Sequence, residues 1–420
     1  MSPECRRNTF DSSCIARFSF LVLIAASTAT AQTFQDFVTR SAVVPDTQRQ
    51  AVVDSFFAVS RSYPVADNDT TVFFVYQGGV SSATVPGDAN NWDPSASPMT
   101  RVGGTNLWYS KRIFESDARL DYKFVVNGGT WILDPKNPST ATGGMGPNSE
   151  LRMPKYVSAP EILYYPNIPH GTLHDTTYTS AALGNSRTVR VYTPPAYKSS
   201  HDSLPVILFH DGLEYVTLAQ ANNIIDYLIW KGHIRPIIAV FVPPVNRTPE
   251  YVSTQIAAFS AFIATELMPS IDAHYRTRRD PASRAVLEAS NGGNISLWLG
   301  FNYPGSFGMV GAQSSYIHPS LFDGFQSSAK LKLKLYLDLG TYDIPQLIPM
   351  VRSFVPILQS KGYSVRYREY HEGHSWGNWR AHLAGALEFF FGNPSTGMLD
   401  SPALPEELKL QQTKSMILLR

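Results

Sequence analysis

Cysteine is almost missing from this 420-residue chain, and the two copies, Cys5 and Cys14, lie near its start. The rest of the sequence therefore has no disulfide, thiolate nucleophile or cysteine metal site. An excess of one charge is missing as well, since 35 Lys and Arg stand against 34 Asp and Glu. This balance gives no support to a nucleic-acid partner or to binding at an anionic membrane surface.

A long hydrophobic run is also missing, but a short one lies inside a typical secretory signal sequence. Three arginines precede an apolar run at residues 18–26, and small residues at 29–31 follow it. The run is too short to span a bilayer, so we expect cleavage near Ala31 rather than a membrane anchor. The mature protein is then secreted or periplasmic.

The remaining sequence predicts two domains. Its 43% hydrophobic and 16% charged residues are typical of a globular protein. After a helical lead-in at 32–69, residues 70–153 alternate short β-rich runs with turn signals. This spacing predicts a small immunoglobulin-like β-sandwich. We interpret the Gly-, Ser- and Thr-rich stretch 139–150 as the approach to an ordered, proline-rich connector at 154–170.

Residues 171–393 have a different pattern, in which apolar runs alternate with helical stretches. Continuous apolar runs are typical of strands buried in a parallel sheet. In residues 252–275 the apolar side chains recur at spacings of three and four, as on one face of a helix. The alternation predicts a doubly wound α/β domain. Residues 394–420 form a C-terminal tail without a clear element.

Ser290 is the candidate nucleophile. It stands in Glu288-Ala-Ser-Asn-Gly-Gly293, after a predicted strand and before a predicted helix. This context is typical of a nucleophile elbow, although a helix N-cap is the alternative interpretation. Glu288 departs from the usual G-x-S-x-G pattern, which has glycine at that position. Its carboxylate either points into the site or turns away and pairs with a cation, and we favour the second.

The candidate base is His374, which follows Gly373 in the loop after the last predicted strand. His371, at the strand end, is interpreted as structural. Asp343 fits the acid better than Asp338, because it lies in the loop beyond the carboxyl end of its strand. The order Ser, Asp, His is that of α/β-hydrolases. A His-x-x-His metal site has no third ligand nearby, so we expect no metal and no cofactor.

An oxyanion hole needs two backbone N–H groups near the nucleophile. Asn291, directly after Ser290, supplies one of them. The loop after the first long apolar strand supplies the other, which we assign to Leu213 with Gly212 as the alternative.

Three residues near these motifs are candidate substrate contacts: Asp211, Arg247 and Trp376. An ion pair between Arg247 and Glu250 that shapes a loop is the alternative for the arginine. Trp92, Trp108 and Trp131 would suit a sugar-stacking platform, but core positions in the sandwich are favoured.

These motifs together resemble a known family. The hydrolase half is similar to the putative-esterase family of α/β-hydrolases, which includes enterochelin, feruloyl and acetylxylan esterases and S-formylglutathione hydrolases. The matching segments are 190–197, 210–212, 289–293, 340–343 and 373–376. Segments 87–92, 120–124 and 131–135 resemble the glycogen-binding-module-like β-sandwich of enterochelin-esterase-like proteins.

The resemblance covers about residues 50–392 and implies an α/β-hydrolase fold preceded by that sandwich. It implies a cofactor-free triad hydrolase with Asp343 as the acid and His374 as the base. The favoured function is a secreted serine esterase acting on a siderophore ester or on a polysaccharide-linked feruloyl or acetyl ester. Two alternatives stay open: a carbohydrate-binding protein with a decayed hydrolase domain, supported by Glu288 alone, and an acyltransferase that uses the same triad.

Overall fold

The computed structural model describes residues 33–59 and 61–393, so the expected signal peptide and C-terminal tail lie outside it. The α-helices are α1 (Phe34–Val43), α2 (Asp46–Phe57), α3 (Gly212–Thr217), α4 (Ala221–Trp230), α5 (Arg247–Val252), α6 (Ile256–Ala261), α7 (Met268–His274), α8 (Asn291–Asn302), α9 (Pro319–Ser327), α10 (Leu347–Ser360) and α11 (Trp376–Phe391). The π-helical stretch Phe262–Leu267 joins α6 to α7.

The strands before residue 171 are β1 (Val65–Ala66), β2 (Thr71–Gln77), β3 (Ala83–Thr84), β4 (Thr100–Arg101), β5 (Leu107–Ile113), β6 (Arg119–Tyr122), β7 (Phe124–Val126), β8 (Thr130–Ile132), β9 (Thr140–Gly143) and β10 (Gly146–Arg152). Those after it are β11 (Thr172–Ser180), β12 (Asn185–Thr193), β13 (Val206–Phe209), β14 (Ile238–Phe241), β15 (Arg284–Ala289), β16 (Met309–Gln313), β17 (Lys334–Tyr342) and β18 (Ser364–Gly373).

One central sheet of eleven strands organises the structure. Its order is β11-β12-β14-β13-β15-β16-β17-β18-β6-β10-β9. Six neighbouring strands of this sheet are parallel: β14, β13, β15, β16, β17 and β18. The antiparallel hairpin β11–β12 lies beside β14 at one edge. The predicted α/β fold is confirmed, and the order is that of an α/β-hydrolase.

Each face of this sheet is covered by apolar packing. In β13, Val206 and Leu208 join the core on one face, whereas Ile207 and Phe209 join the core on the other. Alternate side chains of a strand point to opposite faces, so β13 is apolar throughout because both faces are covered.

The helix spanning Ile256–His274 is long and apolar enough to cross a membrane by length and composition. Its residues Phe259, Phe262, Ile263 and Leu267 are buried in the core of the α/β domain. That packing accounts for the apolar composition of the helix.

The N-terminal strands are not confined to a separate sandwich. A four-stranded sheet, β1-β2-β5-β4, and a three-stranded sheet, β3-β7-β8, lie there, but β6, β10 and β9 extend the central sheet. The junction is a bridge between Arg119 of β6 and Glu372 of β18. The interpretation of 139–150 as part of a connector is wrong, because these residues form most of the β9–β10 hairpin. Gly146, with a φ of +92°, lies at its turn.

Candidate active site

Ser290 lies in the tight turn between β15 and α8. Its backbone has φ 58° and ψ −129°, a conformation that non-glycine residues rarely adopt. The Ser290 N–H donates to the carbonyl oxygen of Gln313 on β16 at 2.9 Å, which fixes the turn against the neighbouring strand. A Cβ on Gly293 would lie 2.5 Å from Ser315 Oγ, so only glycine allows α8 to pack this closely. The sequence Ser-Asn-Gly-Gly thus forms the strand–turn–helix arrangement of a nucleophile elbow.

A hydrogen-bonded chain connects this serine to an imidazole and a carboxylate. His374 Nε2 is 3.0 Å from Ser290 Oγ, and His374 Nδ1 is 2.6 Å from Asp343 Oδ1. The same carboxylate oxygen accepts the N–H of Ile344 at 2.7 Å, which orients the Asp343 side chain. Trp379 contacts the imidazole edge-on, with ring centroids 5.0 Å apart. The imidazole is therefore held from two sides.

The other candidate acid and base have different partners. Asp338 accepts a hydrogen bond from Gln313 Nε2 at 2.9 Å, and burial raises its pKa to about 7. His371 Nδ1 lies 2.7 Å from Asp117, a residue of the N-terminal region. The structure therefore brings Asp343 and His374 to Ser290, and it places the two histidines of the His-x-x-His sequence against separate carboxylates.

The loop after β13 approaches the elbow at the same end of the sheet. A Cβ on Gly212 would lie 2.1 Å from the backbone nitrogen of Val242, so this position requires glycine. The Gly212 N–H already donates to the Val242 carbonyl at 3.3 Å. Leu213 and Asn291 lie in the first turns of α3 and α8, where a helix supplies no acceptor for its own N–H groups. This geometry favours Leu213 over Gly212 as an oxyanion donor.

Arg247 and Asp211 form an ion pair beside this loop. Arg247 Nε donates to Asp211 Oδ2 at 2.6 Å. The alternative of an Arg247–Glu250 ion pair is wrong, because Glu250 is buried and binds Arg187 through two hydrogen bonds of 2.8 and 3.1 Å. Glu250 turns inward from α5, whereas the Arg247 side chain stays 37% exposed. Asp211 is mostly buried and contacts the arginine, so its carboxylate orients the Arg247 side chain.

Glu288 turns away from the nucleophile. Its Oε1 accepts the N–H of Ala289 at 2.9 Å, and its Oε2 is 3.8 Å from Arg247 Nη2. A Cβ on Gly292 would lie 1.5 Å from Oε2, so the carboxyl fills the space beneath the first turn of α8. Burial, together with the nearby Asp211, raises the pKa of Glu288 well above its ordinary value, and Arg247 opposes the shift.

Arg119 is a buried residue that supports the histidine loop, and no sequence motif marks it. Its Nη1 donates to Ser375 Oγ at 3.1 Å, and its Nε and Nη2 contact Glu150 and Asp121. Ser375 is the N-cap of α11 and follows His374 directly. No local pattern links β6 to this loop, so only the assembled sheet reveals the contact.

The tryptophans differ in their surroundings. Trp376 is 8% exposed and packs against Tyr215 and Trp379, so little of its surface is available to a substrate. Trp108 is buried, as expected of a core residue. The same expectation is wrong for Trp131, which is 46% exposed and stacks on Trp92 with ring centroids 6.5 Å apart.

His210 lies in the motif before Asp211 but does not contact the triad. The ring is completely buried, and burial lowers its pKa to about 3. The edges of Tyr251 and Phe259 surround it. A neutral imidazole enclosed in this way fills the core beneath the loop.

Comparisons with known proteins agree with this architecture. Residues 180–345 match the family model described as "Putative esterase". The uncharacterized protein YjcH of Bacillus subtilis is 25% identical over 234 residues, which are 52% of this chain and 97% of that protein. An endo-1,4-beta-xylanase/feruloyl esterase of Xylanibacter ruminicola is 28% identical over 165 residues, which are 36% of this chain and 22% of that protein.

Two solved structures share the fold over most of the chain. The enterobactin esterase of Shigella flexneri aligns with a TM-score of 0.67 at 20% identity, over 80% of this chain and 97% of its own. The ferric enterobactin esterase of Salmonella typhimurium aligns with a TM-score of 0.66 at 20% identity, over 76% and 93%. The family-model match over residues 180–345 and the fold shared with these structures support a carboxylic ester hydrolase of the α/β-hydrolase fold that is similar to putative esterases.

Proposed function

We propose that this protein is a secreted serine esterase in which Ser290 is the nucleophile, His374 the base and Asp343 the acid. The observation that carries the proposal is the hydrogen-bonded chain through these three side chains at a strained strand–helix turn. Nucleophile, base and orienting acid in that geometry form the arrangement used for acyl transfer on several unrelated folds.

The reaction follows from these positions. Ser290 Oγ attacks the ester carbonyl carbon while its proton moves to His374 Nε2, and Asp343 stabilises the imidazolium that forms. The negative charge on the carbonyl oxygen is stabilised by the N–H groups of Leu213 and Asn291. Collapse of the tetrahedral intermediate releases the alcohol with the proton from His374. Water then attacks the acyl-serine by the same route, giving the acid and free Ser290.

Two features support an active hydrolase over a decayed one. The three side chains lie within hydrogen-bonding distance, and Glu288, the only sign of decay, turns away from the nucleophile.

An acyltransferase would use the same triad but would transfer the acyl group to an alcohol. Product analysis with and without an added alcohol acceptor separates the two reactions.

For the substrate we propose a siderophore ester or a polysaccharide-linked feruloyl or acetyl ester. Relatives named as enterobactin esterases and as a xylanase/feruloyl esterase motivate these two classes. Arg247 is the candidate contact beside the site. Asp211 compensates much of the positive charge of Arg247. The guanidinium therefore offers a substrate N–H donors and little net charge. Trp376 is a weaker candidate, because most of its ring is covered.

The test is a panel of small-acyl, feruloyl and catecholate-siderophore esters, with Ser290→Ala as the control. We expect hydrolysis by the wild type and a loss of several orders of magnitude in kcat for the variant. Near-normal turnover by Ser290→Ala would show that the nucleophile lies elsewhere. A melting curve that matches the wild type shows that the variant is folded.

Secretion is part of the proposal and rests on the first 31 residues of the sequence. We expect the exported protein to begin at or near Gln32 and to contain no free thiol, because both cysteines precede the cleavage site. Intact-mass analysis of protein recovered from the periplasm or medium tests this. A mass that retains residues 1–31 would contradict it.

A further inference from the structure

Two carboxyl groups and one guanidinium lie beneath the proposed oxyanion hole. Asp211 is 7% exposed and Glu288 is completely buried. Arg247 contacts both, with Nε 2.6 Å from Asp211 Oδ2 and Nη2 3.8 Å from Glu288 Oε2. One cation thus faces two carboxyls, and the cluster is neutral only if one carboxyl holds a proton. An unpaired buried charge is strongly unfavourable, so we expect the neutral form.

The hydrogen bonds of the cluster indicate where that proton lies. Asp211 Oδ1 and Glu288 Oε2 are both buried, and neither has a hydrogen-bond donor within the described part of the chain. Both side chains contact the Arg247 guanidinium, and a side-chain hydrogen bond with Asp211 is among the causes that raise the pKa of Glu288. One proton between the two carboxyls satisfies both oxygens, whereas two carboxylates would leave both unsatisfied.

We propose that Glu288 is protonated and donates a hydrogen bond to Asp211, and that this bond positions the two halves of the oxyanion hole against each other. The inference rests on the proposed serine-esterase function. Asp211 immediately precedes Gly212 and Leu213, and Glu288 lies two residues before Ser290. The backbone pairing of β13 with β15 ends at Phe209 and Leu287. Beyond that point the carboxyl–carboxyl hydrogen bond continues the connection between the two segments.

The conformation of Asp211 explains why this connection matters. Its φ of 35° and ψ of 41° lie in the left-handed region, which costs free energy for a residue other than glycine. Tyr251 Oη accepts its N–H at 2.9 Å, and Arg247 holds one carboxylate oxygen. The bond from Glu288 holds the other oxygen. Loss of that bond should allow the loop to relax and move the Leu213 N–H away from the oxyanion.

The groups around Glu288 and Asp211 keep the shared proton on this pair. The charged and titratable groups around the Glu288–Asp211 pair are Arg247, Glu214, Tyr215 and Tyr251. Burial raises the pKa values of both tyrosines well above their ordinary range, so they stay neutral and do not replace the proton. At high pH, loss of the Glu288 proton would place two negative charges below the point where the oxyanion develops. Activity should therefore fall on the alkaline side.

The first test uses stability and needs no catalysis. In Glu288→Gln the side chain keeps an N–H donor for Asp211 and cannot ionise. A carboxyl whose pKa is raised on folding makes the wild type lose stability relative to this variant as pH rises above about 4.3, the value for an unfolded glutamate. At its steepest, the folding equilibrium constant of the wild type should fall relative to that of the variant by about tenfold per pH unit. Melting curves from pH 4 to 8 measure it, and the opposite slope would show that Glu288 is ionised, which would overturn the proposal.

The second test uses kinetics with whichever ester the panel identifies. We expect Glu288→Gln to keep kcat within about threefold of the wild type at neutral pH and to lack the alkaline fall. We expect Glu288→Ala to lose about ten- to a hundredfold in kcat with little change in KM, because the ester is still bound but the donors are misplaced. Equal losses in both variants, or no loss in Glu288→Ala, would contradict the positioning role.

Asp226→Asn is the matched control. Asp226 is a buried carboxyl of α4, and it accepts hydrogen bonds from Tyr192 Oη at 2.6 Å and Gly171 N–H at 2.9 Å. We expect this variant to lose stability without losing kcat. If its kcat fell as far as that of Glu288→Ala, the effect of Glu288 would reflect general loosening. Inactivity of Ser290→Ala tests the proposed function separately.

Discussion

Asp338 and Asp343 lie five residues apart, and their surroundings give them different chemistry. Asp343 is hydrogen-bonded to the imidazole and to a backbone N–H, which together orient its carboxylate towards His374. Asp338 is enclosed beside Gln313, and burial raises its pKa to about 7. A carboxyl that is half-protonated near neutral pH is poorly suited to stabilise an imidazolium. The loop position that favours Asp343 in the sequence therefore agrees with the hydrogen bonds of Asp343 and with the enclosure of Asp338.

We expect Asp343→Asn to lower kcat by about 10⁴-fold, because an amide favours the wrong tautomer of His374. Asp338→Asn should keep most of the activity, since an asparagine oxygen still accepts the hydrogen bond from Gln313. The measurement is kcat for both variants on the same ester. If the two losses were reversed, the acid would be Asp338.

Asp338→Asn should also change how stability depends on pH. The pKa of Asp338 is about 7 in the folded protein and about 3.9 in the unfolded chain. The folded state then binds the proton more tightly, so the wild type loses stability as pH rises from about 4 to 7 and levels off above. The asparagine variant should lack this part of the decline. Melting temperatures of the two proteins between pH 4 and 8 provide the check, and parallel curves would contradict it.

At the scale of elements, the loop between β18 and α11 carries the imidazole and is fixed from both ends. Glu372 precedes His374 and accepts a hydrogen bond from His382 of α11 at 2.7 Å. Ser375 follows it, caps α11 through the N–H of Asn378, and binds Arg119 of β6. The position of the imidazole therefore depends on one helix cap and on one strand of the N-terminal region.

We expect Ser375→Ala to destabilise the protein by about 1 kcal/mol through loss of the cap. The variant should also lose about tenfold or more in kcat, because a small displacement of the imidazole weakens its hydrogen bond to Ser290. Thr33→Ala is the matched control, since Thr33 caps α1 through the N–H of Asp36 at 3.0 Å. It should lower stability by a similar amount without changing kcat. Equal kcat values for both variants would disprove the role of Ser375.

The sequence predicts elements well where one physical signal dominates. The apolar runs that became β13, β14 and β15 are buried on both faces, and the Ser-Asn-Gly-Gly turn lies where strand and helix pack closely. Strand β11 has no apolar run that would predict it, because most of its side chains are exposed and polar. Arg119 was missed for another reason: it lies 256 residues from Ser375, and no spacing rule connects residues that far apart.

At the scale of the whole molecule, the N-terminal region and the hydrolase domain share one sheet and one buried ion cluster. Arg119 of β6 is 1% exposed, and its guanidinium is 2.7 Å from Asp121, 2.6 Å from Glu150 and 3.9 Å from Glu372 of β18. Separating the two regions would leave buried Glu372 without this guanidinium and would expose the edge of β18. Both consequences are costly, so the two regions stabilise each other.

We expect the full chain to unfold in a single calorimetric transition. A shortened chain that begins at Gly171 should melt at a lower temperature and lose activity on small esters, because the loop that carries His374 has lost Arg119.

Since the shortened chain could fail to fold, Arg119→Lys in the full chain is the decisive variant. Lysine keeps the charge but not the several hydrogen bonds of the guanidinium, so the whole transition should move to lower temperature. If the two regions were independent, the wild type would show two transitions, and Arg119→Lys would shift only one of them. The shortened chain would then hydrolyse esters as fast as the full protein.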